Sequence, residues 1–255
     1  IEKLIYFKGG LGVIVDKLAE SLRNNHVNIR FSSPVQNIYK EGDVFFLKSN
    51  GKTLEYDTVI STTPLPRAIV YLSDISFKEN EIENYSSIKY LSNICYVLIC
   101  DVSLSKSYWT NMHDQSFPFV GIIEHTNLTG VSDYNGKHII YLSRYYDEDD
   151  YSYASDKDEN ELYLSAIDYL NKLYPHFSVE NIIEKQVFQT RHAQPVTPVG
   201  YSKIKPKNQT SVPGLFITSM AHIFPEDRGT NYAVREGKNL ADLSLNYLKK
   251  LQAKK

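Results

Sequence analysis

Apolar residues recur along this chain at two periods. Leu11, Ile14, Val15, Leu18 and Leu22 fall at helical spacing. That predicted helix follows a Gly9-Gly10-Leu11-Gly12 turn and a short apolar run, Leu4 to Phe7, which reads as a strand. Val27 to Phe31 reads as a second strand. Val35 to Tyr39, Val44 to Lys48 and Thr53 to Tyr56 read as a meander, and its second connection carries Asn50-Gly51, the signature of a tight hairpin. Asp57 to Thr62 reads as a buried strand closed by Thr63-Pro64-Leu65-Pro66.

After Pro66 the pattern changes. Residues 67 to 90 look helical and broken. Three apolar strands follow, Ile94 to Val102, Phe119 to Glu124 and His138 to Arg144. The acidic, tyrosine-rich stretch Tyr145 to Asp158 reads as a solvated loop, with Ser155 and Asp158 spaced as a capping box. A helix then presents Tyr163, Ala166, Ile167, Leu170 and Tyr174 on one face and stops at Pro175. Ile182 to Thr190 is a predicted strand. His192 to Pro213, rich in Pro and Lys and without period, reads as a long connection of the kind that is usually functional or disordered. Gly214 to Ser219 is a short buried strand, and a helix is predicted from Tyr232 to Leu251. Its small-residue stripe, Ala233, Gly237 and Ala241, is expected to face inward and let the helix lie close to a sheet. These elements predict an α/β fold in which residues 67–212 are inserted between two parts of one domain, 1–66 and 213–255.

With a net charge of −2 over 255 residues, the chain gives no reason to expect nucleic acid as a partner. No run approaches the about 18 apolar residues of a membrane span. Cys95 and Cys100, an odd number of residues apart on one predicted strand, point to opposite faces and read as reduced thiols. The sequons at Asn84, Asn127 and Asn208 read as chance, and the run Asp147 to Asp150 as a solvated face. No His, Cys, Asp or Glu grouping has metal-ligand spacing, and no Gly-x-Ser-x-Gly elbow occurs. The chain opens on Ile1, so residues upstream in the gene product are expected.

The candidate chemistry lies at the far end. A buried strand, then the loop His222 to Asn231, then a helix make an anion site, because first-turn N–H groups lack partners and the helix dipole is positive there. Arg228 adds a cation and Asp227 an acceptor, an arrangement that suits a nucleotide diphosphate. Gly10-x-Gly12-x-x-Val15 departs from the dinucleotide fingerprint, and no acidic residue ends the next strand. The glycine turn therefore reads either as a backbone approach to a ligand or as a structural turn.

Four segments carry a resemblance. The tail Phe-Pro-Glu-Asp-Arg-Gly-Thr-Asn-Tyr-Ala-Val-Arg-Glu-Gly-Lys (224–238) resembles the C-terminal flavin motif of protoporphyrinogen oxidase-like, flavin-containing amine oxidoreductases. Lys8-Gly-Gly-Leu-Gly with Asp16-Lys-Leu-Ala-Glu20 is similar to that family's Gly-Gly turn and helix. Ser32 to Ile38 resembles the segment whose valine main chain holds adenine. Tyr56 to Pro66 resembles the strand leading from the FAD domain to the substrate domain. The resemblance implies a partial, Rossmann-like FAD-binding domain from 1–66 and 213–255, with an inserted α+β substrate domain, 67–212, on a mixed or antiparallel sheet. It implies a cytoplasmic oxidoreductase that removes a hydride from a C–N or C–C bond of a small-molecule substrate. The implied cofactor contacts are Gly9, Gly10, Val35, Thr62, Asp227, Arg228, Gly229, Thr230 and Asn231. No catalytic base is assigned; Tyr201, His192 and His222 are candidates to line the cleft. The family's opening Gly-x-Gly-x-x-Gly is absent, so an N-terminal segment of the same protein is an expected partner, and FAD is expected to bind weakly or not at all to this chain alone. The alternatives are a nucleotide-sugar mutase-like isomerase and a non-catalytic fragment.

Overall fold

The computed structural model describes residues 6–78, 80–114, 117–147, 159–227 and 229–253. In chain order the elements are α1 (Gly12–Asn24), β1 (Val35–Glu41), β2 (Val44–Ser49), β3 (Lys52–Tyr56), β4 (Val59–Ser61), α2 (Leu65–Tyr71), α3 (Glu81–Ser87), β5 (Tyr90–Cys100), β6 (Trp109–Asn111) and β7 (Gly121–Glu124). They continue with α4 (Thr126–Thr129), β8 (His138–Tyr146), α5 (Glu159–Leu173), β9 (Ile182–Pro195), β10 (Leu215–Ile217) and α6 (Thr230–Gln252). The fold is mixed α/β. The chain divides into two compact units, residues 1–30 with 91–193 and residues 31–90 with 194–255.

The first unit is built on a five-stranded sheet in the order β6-β7-β8-β5-β9. Along β5 every second residue from Tyr90 to Cys100 is buried and those between are half-buried. This is the period of a strand with one face on a core. Ile94, Tyr96, Leu98 and Cys100 of that face pack with Ile140 and Leu142 of β8 against Ala166, Ile167 and Leu170 of α5. The helix therefore buries the stripe its sequence predicts. Cys95 and Cys100 are free thiols. Glu124 is 2% exposed, and its carboxylate is satisfied by the loop after β5. It accepts from Ser103 Oγ and the Leu104 N–H at 2.8 Å each and from Ser105 Oγ at 2.6 Å, as a buried charge requires.

One expectation fails in the amino-terminal stretch. Val27 to Phe31 forms no strand, and Val27 and Phe31 are 46% and 73% exposed. An apolar run becomes a strand only where a neighbouring edge takes up its backbone hydrogen bonds, and none of the described strands pairs with it. The helix α1 forms as spaced but buries none of its residues. Leu4 and Ile5 lie outside the described residues, and Tyr6 and Phe7 are irregular.

The second unit holds the β1-β2-β3 meander and a parallel pair, β4 and β10. Asn50 and Gly51 take φ of +48° and +72° between β2 and β3, the conformation that the Asn-Gly hairpin demands. In the parallel pair Leu215, Phe216 and Ile217 lie opposite Val59, Ile60 and Ser61. Ile38, Phe45, Leu65, Leu72, Leu215 and Ile217 are core residues here. The helix α6 buries Glu236, Leu240, Ser244 and Leu251. This corrects the expected stripe: Ala233, Gly237 and Ala241 are exposed, and a Cβ on Gly237 would meet nothing within 4 Å. The neighbouring stripe, at spacings of four and seven and anchored by Leu240 and Leu251, offers more apolar area to bury.

The connection from His192 to Pro213 is shorter and more ordered than its composition suggests. β9 runs on to Pro195, and Tyr201, fully buried, starts a one-turn helix over Tyr201–Lys203. The capping box Ser155 to Asp158, most of the acidic run 147–150 and Arg228 lie outside the described residues.

Candidate functional site

Because β4 and β10 are parallel, their carboxyl ends lie at one edge. Ligands of α/β sheets sit at such an edge. Thr62 follows β4 and is exposed; Thr218 follows β10 and donates its N–H to Ser61 O at 2.9 Å. The Tyr71 hydroxyl lies 2.6 Å from Ser61 Oγ and 2.7 Å from Thr63 Oγ1. It thus pins the residues on both sides of Thr62. Thr218 Oγ1 is buried at this edge and has no hydrogen-bond partner.

The helix α6 runs back along β10. Its Tyr247 ring is 6.4 Å from that of Phe216. Toward the other end the Asn208 amide is 3.4 Å from both Ile217 O and Glu236 Oε2. The first turns of the helix therefore lie toward the carboxyl edge of β10. Gly229 caps this 23-residue helix, no side chain caps it, and its first turn has no acidic residue. An uncapped N-terminus at the carboxyl edge of parallel strands is suited to an anion. The φ of Gly229 is −173°, ordinary extended backbone, so the glycine is not required by a left-handed turn. A Cβ there would instead come 2.6 Å from Asn231 Oδ1.

The loop before the helix turns through a cis Phe224-Pro225 bond. Arg235 holds it down, with Nη1 2.7 Å from Glu226 Oε1 and Nε 3.1 Å from Glu236 Oε1. This pairing draws the Glu226 carboxyl below its ordinary range. A cavity of about 180 Å³ opens beside the loop, lined by residues that include Gln194, Met220, Phe224 and Asp227.

Two of the candidate cleft residues are braces. The Tyr201 hydroxyl, fully buried, donates to Ala221 O at 2.6 Å. His222 is 1% exposed, and its Nδ1 accepts the Ser219 N–H at 3.0 Å. Burial pushes its pKa down to about 4, against smaller raising effects from the Lys207 main chain and Glu236. The ring is neutral, and its Nε2 finds no partner in good hydrogen-bond geometry. His192, half-buried on β9, belongs to the first unit.

Gly9 and Gly10 also lie in the first unit. Both have φ of +88°, and the Gly10 N–H donates to Phe7 O at 2.9 Å. The turn lines a cleft of about 560 Å³ with Tyr6, Lys8, Asp133, Tyr134 and Tyr141 among its walls. Behind it His125 Nε2 meets the Tyr134 hydroxyl at 2.7 Å, and the Tyr6 ring stands edge-on to the imidazole at 4.8 Å. Burial lowers the His125 pKa and raises those of Tyr6 and Tyr141, so all three stay neutral.

Of the predicted site residues, the second unit brings Thr62 to one sheet edge with the loop and first turn that contain Asp227, Gly229, Thr230 and Asn231. Val35 stands apart on the meander, opposite Ser49 at a bulge. Thr218, Tyr71 and Arg235 escaped the sequence reading. The first two could be suspected from the parallel pairing; the Glu226–Arg235 pair spans a loop and leaves no local spacing. Among the described residues no group of His, Cys, Asp or Glu is arranged to hold a metal, and no helix is long and apolar enough to cross a membrane.

A search of curated proteins finds no match to the chain. Among solved structures it is similar to a provisionally assigned protoporphyrinogen oxidase from Exiguobacterium sp. 255-15, with 15% identity and a TM-score of 0.65 over 84% of this chain and 47% of that one. It is similar to an oxidoreductase from Methanosarcina mazei, with 19% identity and a TM-score of 0.61 over 83% and 49%. A reduced UDP-galactopyranose mutase matches at 18% identity and a TM-score of 0.61 over 77% and 42%. The chain thus spans about half the length of these structures, and the likeness is one of fold. The sequence profile of the flavin-containing amine oxidoreductases matches residues 2–243, and over nearly its whole length the chain belongs to that family.

Proposed function

We propose that the chain is part of a flavin-dependent oxidoreductase that takes a hydride from a C–N or C–C bond of a small-molecule substrate, with FAD as cofactor. The observation that carries this reading is the uncapped α6 N-terminus at the carboxyl edge of β4 and β10, in a chain matched by the family over residues 2–243. The residues present fit such a group: the buried, unpartnered Thr218 Oγ1 lies at the same edge. Thr62, Asp227, Arg228, Gly229, Thr230 and Asn231 would hold the cofactor there, with Val35 toward its adenine; Gly9 and Gly10 stay as candidate contacts. When bound, the flavin supplies the hydride acceptor. The chain's own residues bind and orient: first-turn N–H groups face negative charge, the Tyr71 hydroxyl fixes the main chain around Thr62, and Arg235 holds the loop against the helix.

Residues 1–66 and 213–255 are proposed as the cofactor part and 67–212 as the substrate part, with an upstream segment of the same protein completing the first. Of the cofactor part, 31–66 and 213–255 lie in the second compact unit. The redox reading is preferred to the isomerase reading because a diphosphate clamp needs several cations, and residues 67–212 hold only the arginines Arg67, Arg144 and Arg191, of which Arg144 is committed to Pro118 O at 3.0 Å and to the Tyr146 ring.

The test is FAD retention by the protein expressed from its full reading frame. Arg228→Ala and Gly229→Val are each expected to lower the flavin-to-protein absorbance ratio after gel filtration. Gly229→Val should do so more. A full-length protein that retains no flavin, or variants that keep the wild-type ratio, would overturn the reading.

A further inference from the structure

The segment Lys203-Ile-Lys-Pro-Lys207 touches the site above only through the Lys207 main chain and the charge of Lys205, and its lysines are not scattered. With Lys78 they line one cleft of about 530 Å³ in the second unit, a size that takes a small molecule. The cleft has firm walls. The Lys78 N–H donates to Ser211 Oγ at 2.9 Å, and the Ser211 N–H reaches both oxygens of Glu81 at 3.1 and 3.2 Å. Glu81 also accepts from the Tyr85 hydroxyl at 2.8 Å, so the carboxylate that lines the cleft is tied to its wall. The Lys205 N–H donates to Tyr201 O at 2.8 Å, and Pro206 is buried between the exposed Lys205 and Lys207.

All four lysines are exposed, and among the described residues no carboxylate forms an ion pair with any of them. Ordinary surface lysines are interspersed with acidic groups; here four lysines and one carboxylate, Glu81, line a concavity on a chain whose net charge is −2. The excess of cations leaves the concavity positive, and a charged concavity focuses its field and concentrates counter-ions. Ammonium groups on flexible stems bind phosphate as point charges without needing bidentate geometry. The amides of Asn84 and Gln209 line the same cleft and add neutral donors. The cleft shares no lining residue with the cavity beside the Phe224-Pro225 loop.

We infer that this cleft binds a small soluble polyphosphate or multiply phosphorylated compound, separately from the flavin site. A cleft rather than a flat face favours a soluble ligand over a membrane surface, although a phosphorylated lipid headgroup shares the chemistry. The probe is inorganic tripolyphosphate, titrated calorimetrically into the full chain at low and at physiological salt. Saturable one-site binding is expected, weakened by salt. Lys203→Ala/Lys205→Ala/Lys207→Ala should lose at least about ten-fold in affinity, a readily resolved change. Lys249→Ala/Lys250→Ala, at the far end of α6, should stay within about two-fold of wild type. Because a triple variant can fold poorly, lysine acetylation of the wild-type chain is followed by mass spectrometry. Tripolyphosphate should protect Lys203, Lys205 and Lys207 more than Lys249 and Lys250. Absence of saturable binding, equal losses in both variants, uniform protection, or binding to phosphoinositide vesicles that free tripolyphosphate does not compete would each overturn the inference.

Discussion

Gly214→Ala should be among the most damaging single substitutions in the second unit. Gly214 precedes β10 with a φ of +87°. A Cβ built there lies 2.7 and 2.9 Å from Cε1 and Cζ of Tyr247 and 3.0 Å from Cε2 of Phe45. Phe45 is fully buried and cannot withdraw. The left-handed backbone costs an L-residue roughly 1–2 kcal/mol, and overpacking adds about 1–3 kcal/mol. Against these, alanine restricts the unfolded chain and recovers about 0.4–1 kcal/mol. The net loss is about 1–4.6 kcal/mol, a sizeable share of the roughly 5–15 kcal/mol that holds a typical domain folded. The strand is directly exposed to this strain, since Gly214 O accepts the Val59 N–H at 2.9 Å and Thr58 Oγ1 at 2.7 Å. The assay is urea unfolding followed by circular dichroism, with Gly214→Ala, Tyr247→Ala and the double variant forming a cycle. If the rings cause the steric part, the double variant is less destabilised than the sum of the singles. A Gly214→Ala loss below about 0.5 kcal/mol, within ordinary surface scatter, would refute both the backbone and the packing arguments; strict additivity would refute the second alone.

Three further outcomes are expected. Tyr71→Phe removes the hydroxyl shared by Ser61 and Thr63 and leaves the buried Ser61 short of a partner; a loss of about 1–3 kcal/mol should appear in the urea midpoint. Glu124→Gln turns one acceptor oxygen into a donor, facing either Ser103 and the Leu104 N–H or Ser105; a loss of about 2–3 kcal/mol is expected, and an unchanged thermal midpoint would show that the loop does not depend on the carboxylate. The pKa of His222 is lowered to about 4 from 6.5, so the unfolded chain takes up the proton first. Its contribution is complete above about pH 6.5 and is lost as pH falls toward 4, on the order of 3 kcal/mol. Urea midpoints measured across this window should fall less steeply for His222→Gln than for wild type.

The residues differ in how much they disclosed before any coordinates. Strands and helices that bury a periodic face were legible, because the period is the face: Ala166, Ile167 and Leu170 of α5 and the Asn50-Gly51 hairpin are cases. Leu215 to Ile217 reads as a buried strand, and it lies parallel beside Val59 to Ser61, buried along its length. The inward stripe of α6 was misjudged because small size was weighed above apolar area, and the Val27 to Phe31 run because hydrophobicity alone supplies no backbone partner. At the site, Thr62 follows β4 and the loop from Asp227 precedes α6. Thr218, Tyr71 and Arg235 did not show, since their roles come from strand register and a cross-loop ion pair, which composition does not encode.

The bare helix α1 has a kinetic consequence. A 13-residue helix that buries no residue has little beyond its own marginal propensity to hold it closed. Its amides should exchange with solvent far faster than those of β5 and β8, and proteases should cut first between Gly9 and Val27. That segment also carries the Tyr6 to Gly10 wall of the tyrosine cleft, whereas Leu128, Thr129 and Tyr141 belong to the slow-exchanging side. Whatever enters the cleft binds only the closed fraction, so its apparent affinity is scaled down by that fraction. Ligands of this cleft should therefore announce themselves as protection of α1 amides, at a distance from any atom they touch.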